Sequence, residues 1–219
     1  MFVKICGITS EEDGLLAVAM GADAVGFVFA PSPRQIAVGR ARDIAKRLPP
    51  EVLTVGVFRD ELPVRVVEAV TTAGLRGVQL HGRESVDDAA YVRERVPVLI
   101  KAFPAGSRLL DRAADYRPDA ILVDGPAPGS GELFDWSLLD GARRGHRLIL
   151  AGGLDPGNVA DAIAKVQPWG VDVSTGVESA PGRKDPAKVR AFIRAAREAT
   201  PPPYEGSGEG PYDWQTEAS

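Results

Sequence analysis

The feature that most constrains this chain is a recurrence of short apolar, β-rich runs. They begin near Phe2 (FVKIC), Ala24 (AVGFVF), Leu53 (LTVGVF), Gly77 (GVQL), Val98 (VLIK), Ala120 (AILVD), Arg147 (RLILA) and Gly170 (GVDVS), so successive starts lie 21 to 29 residues apart. Most of these runs are continuously apolar rather than alternating, as expected of strands buried on both faces.

Helical patterns with start signals occupy most of the gaps. Thr9 and Glu12 have the spacing of a capping box before LLAVAM. Ser85 is placed to cap a segment running to Val96, and Asp155-Pro156 and Asp185-Pro186 each read as an N-cap followed by Pro at the first helical position. Val159, Ala162, Ile163 and Val166 fall on one helical face, as do Val189, Phe192, Ile193 and Ala196. The segments after the fifth and sixth strands, Leu109–Ala114 and Trp136–Leu139, read as short helices. Eight strands alternating with helices predict a single-domain α/β fold, a (β/α)8 TIM barrel over residues 1–200. An open doubly wound sheet would put GxGxxG after its first strand, where this chain has CGITSEED. The glycines at Gly129–Gly131 and Gly206–Gly210 match neither that fingerprint nor a P-loop.

Charge is informative once it is located. The net charge of −4 belongs to residues 201–219, which hold Glu205, Glu209, Asp213 and Glu217 and no Lys or Arg, so the first 200 residues are neutral. This acidic, Pro/Gly-rich tail is expected to be disordered, with Pro201–Pro203 stopping the last helix. A neutral body argues against a nucleic-acid partner. No apolar run approaches the ~20 residues of a membrane span, and the N-terminus lacks the apolar core of a secretory signal. A single cysteine excludes an internal disulfide, and two histidines leave little for a metal. A cytoplasmic protein without metal or cofactor is the expectation.

A parallel barrel puts its chemistry where the strands end. The first ends at Cys6-Gly7, the second leads into Pro31-Ser32-Pro33-Arg34, and the third ends at Phe58. The fourth ends in Gln79-Leu80-His81-Gly82 and the fifth at Lys101. The sixth ends at Asp124-Gly125, the seventh at Ala151-Gly152-Gly153, and the eighth runs into Ser174-Thr175-Gly176. The last two loops form the usual phosphate site of this fold, so Gly152, Gly153, Ser174, Thr175 and Gly176 are candidate phosphate ligands. A lone strand cysteine is ordinarily a small buried hydrophobe, but at a strand end Cys6 is also a candidate base that needs activation. Asp124, closing an apolar strand, is either a structural carboxylate or a general acid. In a ring, strands one and six are three steps apart through eight and seven, so these two groups would face each other across the mouth. Arg34, behind a rigid Pro, is placed to clamp a carboxylate. His81 reads as a supporting residue rather than a reacting one. Lys4 and Asp172 point either into the barrel or at a ligand. His146 has no assigned role.

Together KICGIT (Lys4–Thr9), FAPSPRQI (Phe29–Ile36), VQLHG (Val78–Gly82), LVDG (Leu122–Gly125), LAGGL (Leu150–Leu154), DVSTGVE (Asp172–Glu178) and GRKD (Gly182–Asp185) resemble the phosphoribosylanthranilate isomerase family of tryptophan biosynthesis. The resemblance implies a cofactor-free Amadori rearrangement of a phosphosugar, N-(5-phosphoribosyl)anthranilate, with Cys6 as general base and Asp124 as general acid. It also implies that Arg34 holds the anthranilate carboxylate, that LAGGL and Ser174–Gly176 hold the phosphate, and that the protein is a monomer or homodimer. Two rivals predict different residues. The related isomerase of histidine biosynthesis resembles this chain in fold but has Asp in place of Cys6 and a second phosphate site in its N-terminal half. A non-catalytic phosphosugar-binding barrel predicts a pocket without an acid and a base.

Overall fold

The protein was described from a computed structural model, which describes residues 1–125, 136 and 145–199. The first half is regular: β1 Phe2–Cys6, α1 Glu11–Ala19, β2 Ala24–Val28, α2 Val38–Ala45, β3 Leu53–Phe58, α3 Pro63–Ala73, β4 Gly77–Leu80 and α4 Val86–Arg93. There follow β5 Val98–Pro104, a 3₁₀ segment Arg108–Tyr116, β6 Ala120–Asp124, β7 Leu148–Leu150, α5 Val159–Val166 and β8 Gly170–Val173. A 3₁₀ turn at Thr175–Val177 leads into a two-stranded hairpin, β9 Glu178–Ala180 and β10 Arg183–Lys184, before α6 Pro186–Glu198. The first eight strands close into a barrel in sequence order, each parallel to the next, with β8 returning to β1. This is the architecture expected from the recurrence of apolar runs. The expected short helix at Trp136–Leu139 and the tail at 201–219 lie outside the described residues, apart from Trp136 itself.

Both faces of the strands are covered. Alternate residues point inward, where Phe2, Ala24, Leu53, Val55, Val98, Ile100, Ala102, Ala120, Leu122, Ile149 and Ala151 fill the interior. Trp169 stacks on Phe2 at 4.6 Å below them. The intervening residues, such as Val3, Ile5, Val25 and Phe27, meet Ile44, Val66, Val70, Val92, Ile163, Val189 and Phe192 of the helices. The two apolar helical faces read from the sequence are buried in full.

Four local expectations are corrected. The cap of α1 is Ser10, whose hydroxyl accepts from Asp13 N, whereas the Thr9 hydroxyl donates to Gly182 O at 2.5 Å. Asp185 caps α6 as expected, but Asp155 does not cap α5. Its carboxylate accepts from Gly157 N and Asn158 N in a turn, and α5 begins at Val159, because Gly157 and Asn158 are poor helix formers. Ser85 caps α4 in a full capping box with Asp88, though α4 stops at Arg93, short of Val96. The fifth strand continues past Lys101 to Pro104, and Lys101 lies on its outer face.

Candidate functional site

The polar residues that end the inward-facing rows gather at one mouth of the barrel. On β1, Lys4 and Cys6 both point inward, and both are buried. Lys4 Nζ pairs with Asp172 Oδ1 on β8 at 2.9 Å, its neighbour in register. Both side chains that the sequence left open therefore point into the barrel, where they form an internal ion pair beside Cys6. Burial pulls the Lys4 ammonium down, but Asp172 and Cys6 more than reverse that and hold it above its ordinary value. Burial pushes the Cys6 thiol above its ordinary value, and the Lys4 ammonium offsets part of the shift. Space for both groups comes from Gly26, the β2 neighbour of Cys6, because a Cβ there would lie 2.7 Å from Cys6 Sγ and 3.1 Å from Lys4 Nζ.

On the opposite side, Asp124 ends β6 with only 8% of its surface exposed. Its Oδ1 accepts from Gly125 N at 2.8 Å, and its Oδ2 lies 3.3 Å from His81 Nε2. Gln79, buried on β4, places its Nε2 2.7 Å from His81 Nδ1. The two ring nitrogens of His81 thus lie between the Gln79 amide and the Asp124 carboxylate. His81 is therefore placed as a support for the carboxylate.

Loops seven and eight meet between these two sides. A Cβ on Gly176 would come within 2.0 Å of Leu154 O, so only glycine permits this approach. Gly152 has φ +85°, and a Cβ there would be 2.5 Å from Gly125 N and 2.7 Å from Asp124 Oδ1. Loop seven is braced by Asn158, which accepts from Asp155 N and donates to Gly153 O, each at 2.9 Å. Ser174 Oγ is buried there without a hydrogen-bond partner among the described residues. An unsatisfied buried hydroxyl is costly, which makes it a natural site for a ligand oxygen.

Arg34 is already engaged within the protein. Its Nε and Nη2 donate to the two carboxylate oxygens of Glu178 at 2.8 and 2.7 Å, and Nη2 also donates to Thr175 Oγ1 at 3.2 Å. Glu178 Oε1 accepts from the buried Lys184 as well, at 3.0 Å. Burial pushes the Glu178 carboxyl up, but Arg34 and Lys184 outweigh it and hold it below its usual range. Neither Glu178 nor Lys184 was singled out as a site residue. The available signal was their position either side of the Pro181-Gly182 turn, which pairs them across the hairpin. Lys101 belongs to structure: its ammonium is bonded to Glu84 and to the carbonyls of Leu80, Gly82 and Ala102. Among the described residues, no group of three or more His, Cys, Asp or Glu side chains is arranged to hold a metal, and no helix is long and apolar enough to cross a membrane.

Comparison with known proteins gives this mouth a context. Residues 3–195 match the family model of N-(5'-phosphoribosyl)anthranilate (PRA) isomerase. An N-(5'-phosphoribosyl)anthranilate isomerase of Desulforudis audaxviator is 53% identical over 204 residues, covering 90% of this chain and 98% of the relative. The phosphoribosyl anthranilate isomerase of Thermus thermophilus superposes with a TM-score of 0.85 at 43% identity, covering 90% of this chain and 99% of that one. A further isomerase structure, in complex with reduced 1-(o-carboxyphenylamino)-1-deoxyribulose 5-phosphate, gives a TM-score of 0.82 at 44% identity, covering 90% of this chain and 99% of that one. The chain is an enzyme of the N-(5'-phosphoribosyl)anthranilate isomerase family.

Proposed function

We propose that Cys6 is the general base and Asp124 the general acid of an Amadori rearrangement that converts N-(5-phosphoribosyl)anthranilate to 1-(2-carboxyphenylamino)-1-deoxyribulose 5-phosphate. The observation that carries this reading is the placement of one thiol and one carboxyl at the ends of inward-facing rows on β1 and β6. In ring order the joined loops seven and eight lie between them. A sugar phosphate held by those loops would present one group to each side. Ser174, Thr175, Gly176, Gly152 and Gly153 are the proposed phosphate cradle, and Arg34 the proposed partner of the anthranilate carboxylate.

Asp124 gives a proton to the furanose ring oxygen as its bond to C1 breaks, leaving an iminium with the anthranilate nitrogen. The Cys6 thiolate takes the proton on C2, and the electron pair moves to form an enolamine. Tautomerisation places a proton on C1 and releases the one on the C2 oxygen, giving the aminoketose with no net oxidation. The substrate nitrogen is the electron sink. The Lys4 ammonium lies beside the thiol and stabilises its anion, while the His81 ring, 3.3 Å from Asp124 Oδ2, supports that carboxylate once its proton has gone.

The test follows loss of substrate fluorescence. Cys6→Ala and Asp124→Asn should each fold and each lower kcat by at least about 10²-fold, the scale of general acid–base contributions. Near-normal turnover in both variants would sink the assignment. The histidine-pathway substrate, run in parallel, should turn over poorly, because that reaction is associated with Asp at position 6.

A further inference from the structure

The Arg34 guanidinium is already held in a fork. Glu178 takes Nε and Nη2 side-on, Thr175 takes the other side of Nη2, and Nη1 has no partner among the described residues. Glu178 is itself anchored. Lys184 Nζ donates to Glu178 Oε1 at 3.0 Å, to Cys6 O at 2.6 Å and to Ser174 O at 3.2 Å, which uses all three ammonium protons. The Lys184 side chain is wholly enclosed, and Glu178 is nearly so. One carboxylate thus links the clamp residue to the backbone of the base residue and of the phosphate loop.

We propose that Glu178, held by Lys184, is a positioning residue that fixes the Arg34 guanidinium so that Nη1 meets the carboxylate of the substrate. The inference rests on the carboxylate-clamp role proposed for Arg34. The charge count fits one ligand anion, since two cations and one carboxylate leave a single positive charge facing the mouth. A substrate tethered at its phosphate and at this carboxylate has its ribose fixed between Cys6 and Asp124. Loosening the second tether should therefore disturb geometry more than attraction, and a misplacement of about 1 Å can cost about 10²-fold in rate.

The experiment compares Glu178→Gln, Arg34→Ala and their double variant on N-(5-phosphoribosyl)anthranilate and on the aniline analogue lacking the carboxylate. Glu178→Gln keeps the Arg34 charge, so kcat should fall by about ten- to 100-fold with KM changed less than about threefold. In the Arg34→Ala background the same substitution should cost nothing further, and on the aniline analogue it should be silent. Because Glu178→Gln leaves Lys184 unpaired, Glu178→Gln/Lys184→Met is made alongside, with no lone buried charge, and should show the same kcat loss. An unchanged kcat in either folded variant, or equal losses with and without Arg34, overturns the positioning role. If Arg34→Ala itself fails to narrow the difference between the two substrates, the clamp reading falls first.

Discussion

Gly26→Ala perturbs the proposed base without altering its chemistry. Gly26 sits beside Cys6 in the β1–β2 register, and a methyl group there would stand 2.7 Å from Cys6 Sγ, 3.1 Å from Lys4 Nζ and 3.3 Å from Cys6 Cα. Unstrained contacts between heavy atoms of this kind lie at about 3.5–4.0 Å, so the thiol must retreat by about 1 Å. It cannot do so cheaply, because it has one side-chain torsion, and Lys4 is held in its ion pair with Asp172. A displacement of about 1 Å at a reacting group costs about 10²-fold in rate. Overpacking a filled barrel adds about 1–3 kcal/mol of instability. At about 2–4 °C per kcal/mol for a chain of this size, Tm should fall measurably without loss of the fold. Initial rates of fluorescence loss, taken across substrate concentration, should show the deficit in kcat. KM should change less than about threefold, on the scale where tenfold is about 1.4 kcal/mol, because neither the loops nor Arg34 is touched. A folded Gly26→Ala enzyme with near-normal kcat would refute both the crowding argument and the role of the thiol. A loss confined to KM would place Gly26 at a binding contact instead.

The single cysteine allows a direct titration. Ultraviolet difference absorbance against Cys6→Ser should place thiolate formation above the roughly 8.5 of a free thiol, since burial opposes the anion. The neutral pair Lys4→Met/Asp172→Asn should move it higher still, because Lys4 acts more strongly on the thiol than Asp172 does. A thiol ionising at or below its ordinary value would contradict this electrostatic account. At the other end of the substrate, Gly176→Ala would drive a methyl group to within 2.0 Å of Leu154 O and part loops seven and eight. Inhibition by inorganic phosphate should weaken by about tenfold or more, equivalent to about 1.4 kcal/mol, and unchanged inhibition would remove these loops as the phosphate site.

What was legible in the sequence depended on the range of the interaction involved. Runs such as GVQL and AILVD declare themselves because a strand packed on both faces must be apolar at nearly every position. Lys101 broke the same rule and read as a strand end. Its ammonium is satisfied by Glu84, 17 residues earlier, and by three carbonyls, none of which the local sequence displays. Thr9–Glu12 and Ser10–Asp13 are two capping frames one residue apart. Gly182, 173 residues away, decides between them by taking the Thr9 hydroxyl. The ends of the strands pointed to Cys6, Asp124 and the two glycine loops, because position in a barrel follows from strand order. The Lys4–Asp172 pair, the engagement of Arg34 by Glu178 and the space over Gly26 depend on register between distant strands and loops, which periodicity does not encode.

The buried lysines explain how a neutral body can hold an anionic substrate. Lys4, Lys101 and Lys184 are each 3% exposed or less, and each is paired with one carboxylate: Asp172, Glu84 and Glu178. Such pairs are weak arguments for stability, since apolar side chains of the same volume often serve as well. Their contacts suggest a different purpose. All eight strands run in parallel and end at one mouth, where the ladders stop and terminal carbonyls lose their N–H partners. Lys184 takes the carbonyls of Cys6 and Ser174, and Lys101 takes those of Leu80, Gly82 and Ala102. Lys4 lies against the Cys6 thiol instead. Lys184 thus holds two carbonyls beside the mouth, Lys101 fastens the outer face of β5 to the β4 end, and the paired carboxylates cancel the charge of all three cations. Among the described residues, Nη1 of Arg34 and the Ser174 hydroxyl are left without partners near the mouth, beside one unmet acceptor, Gln79 Oε1. The Arg34 edge and the Ser174 hydroxyl are donors of the kind the proposed carboxylate and phosphate contacts need, and they require no net positive charge on the protein.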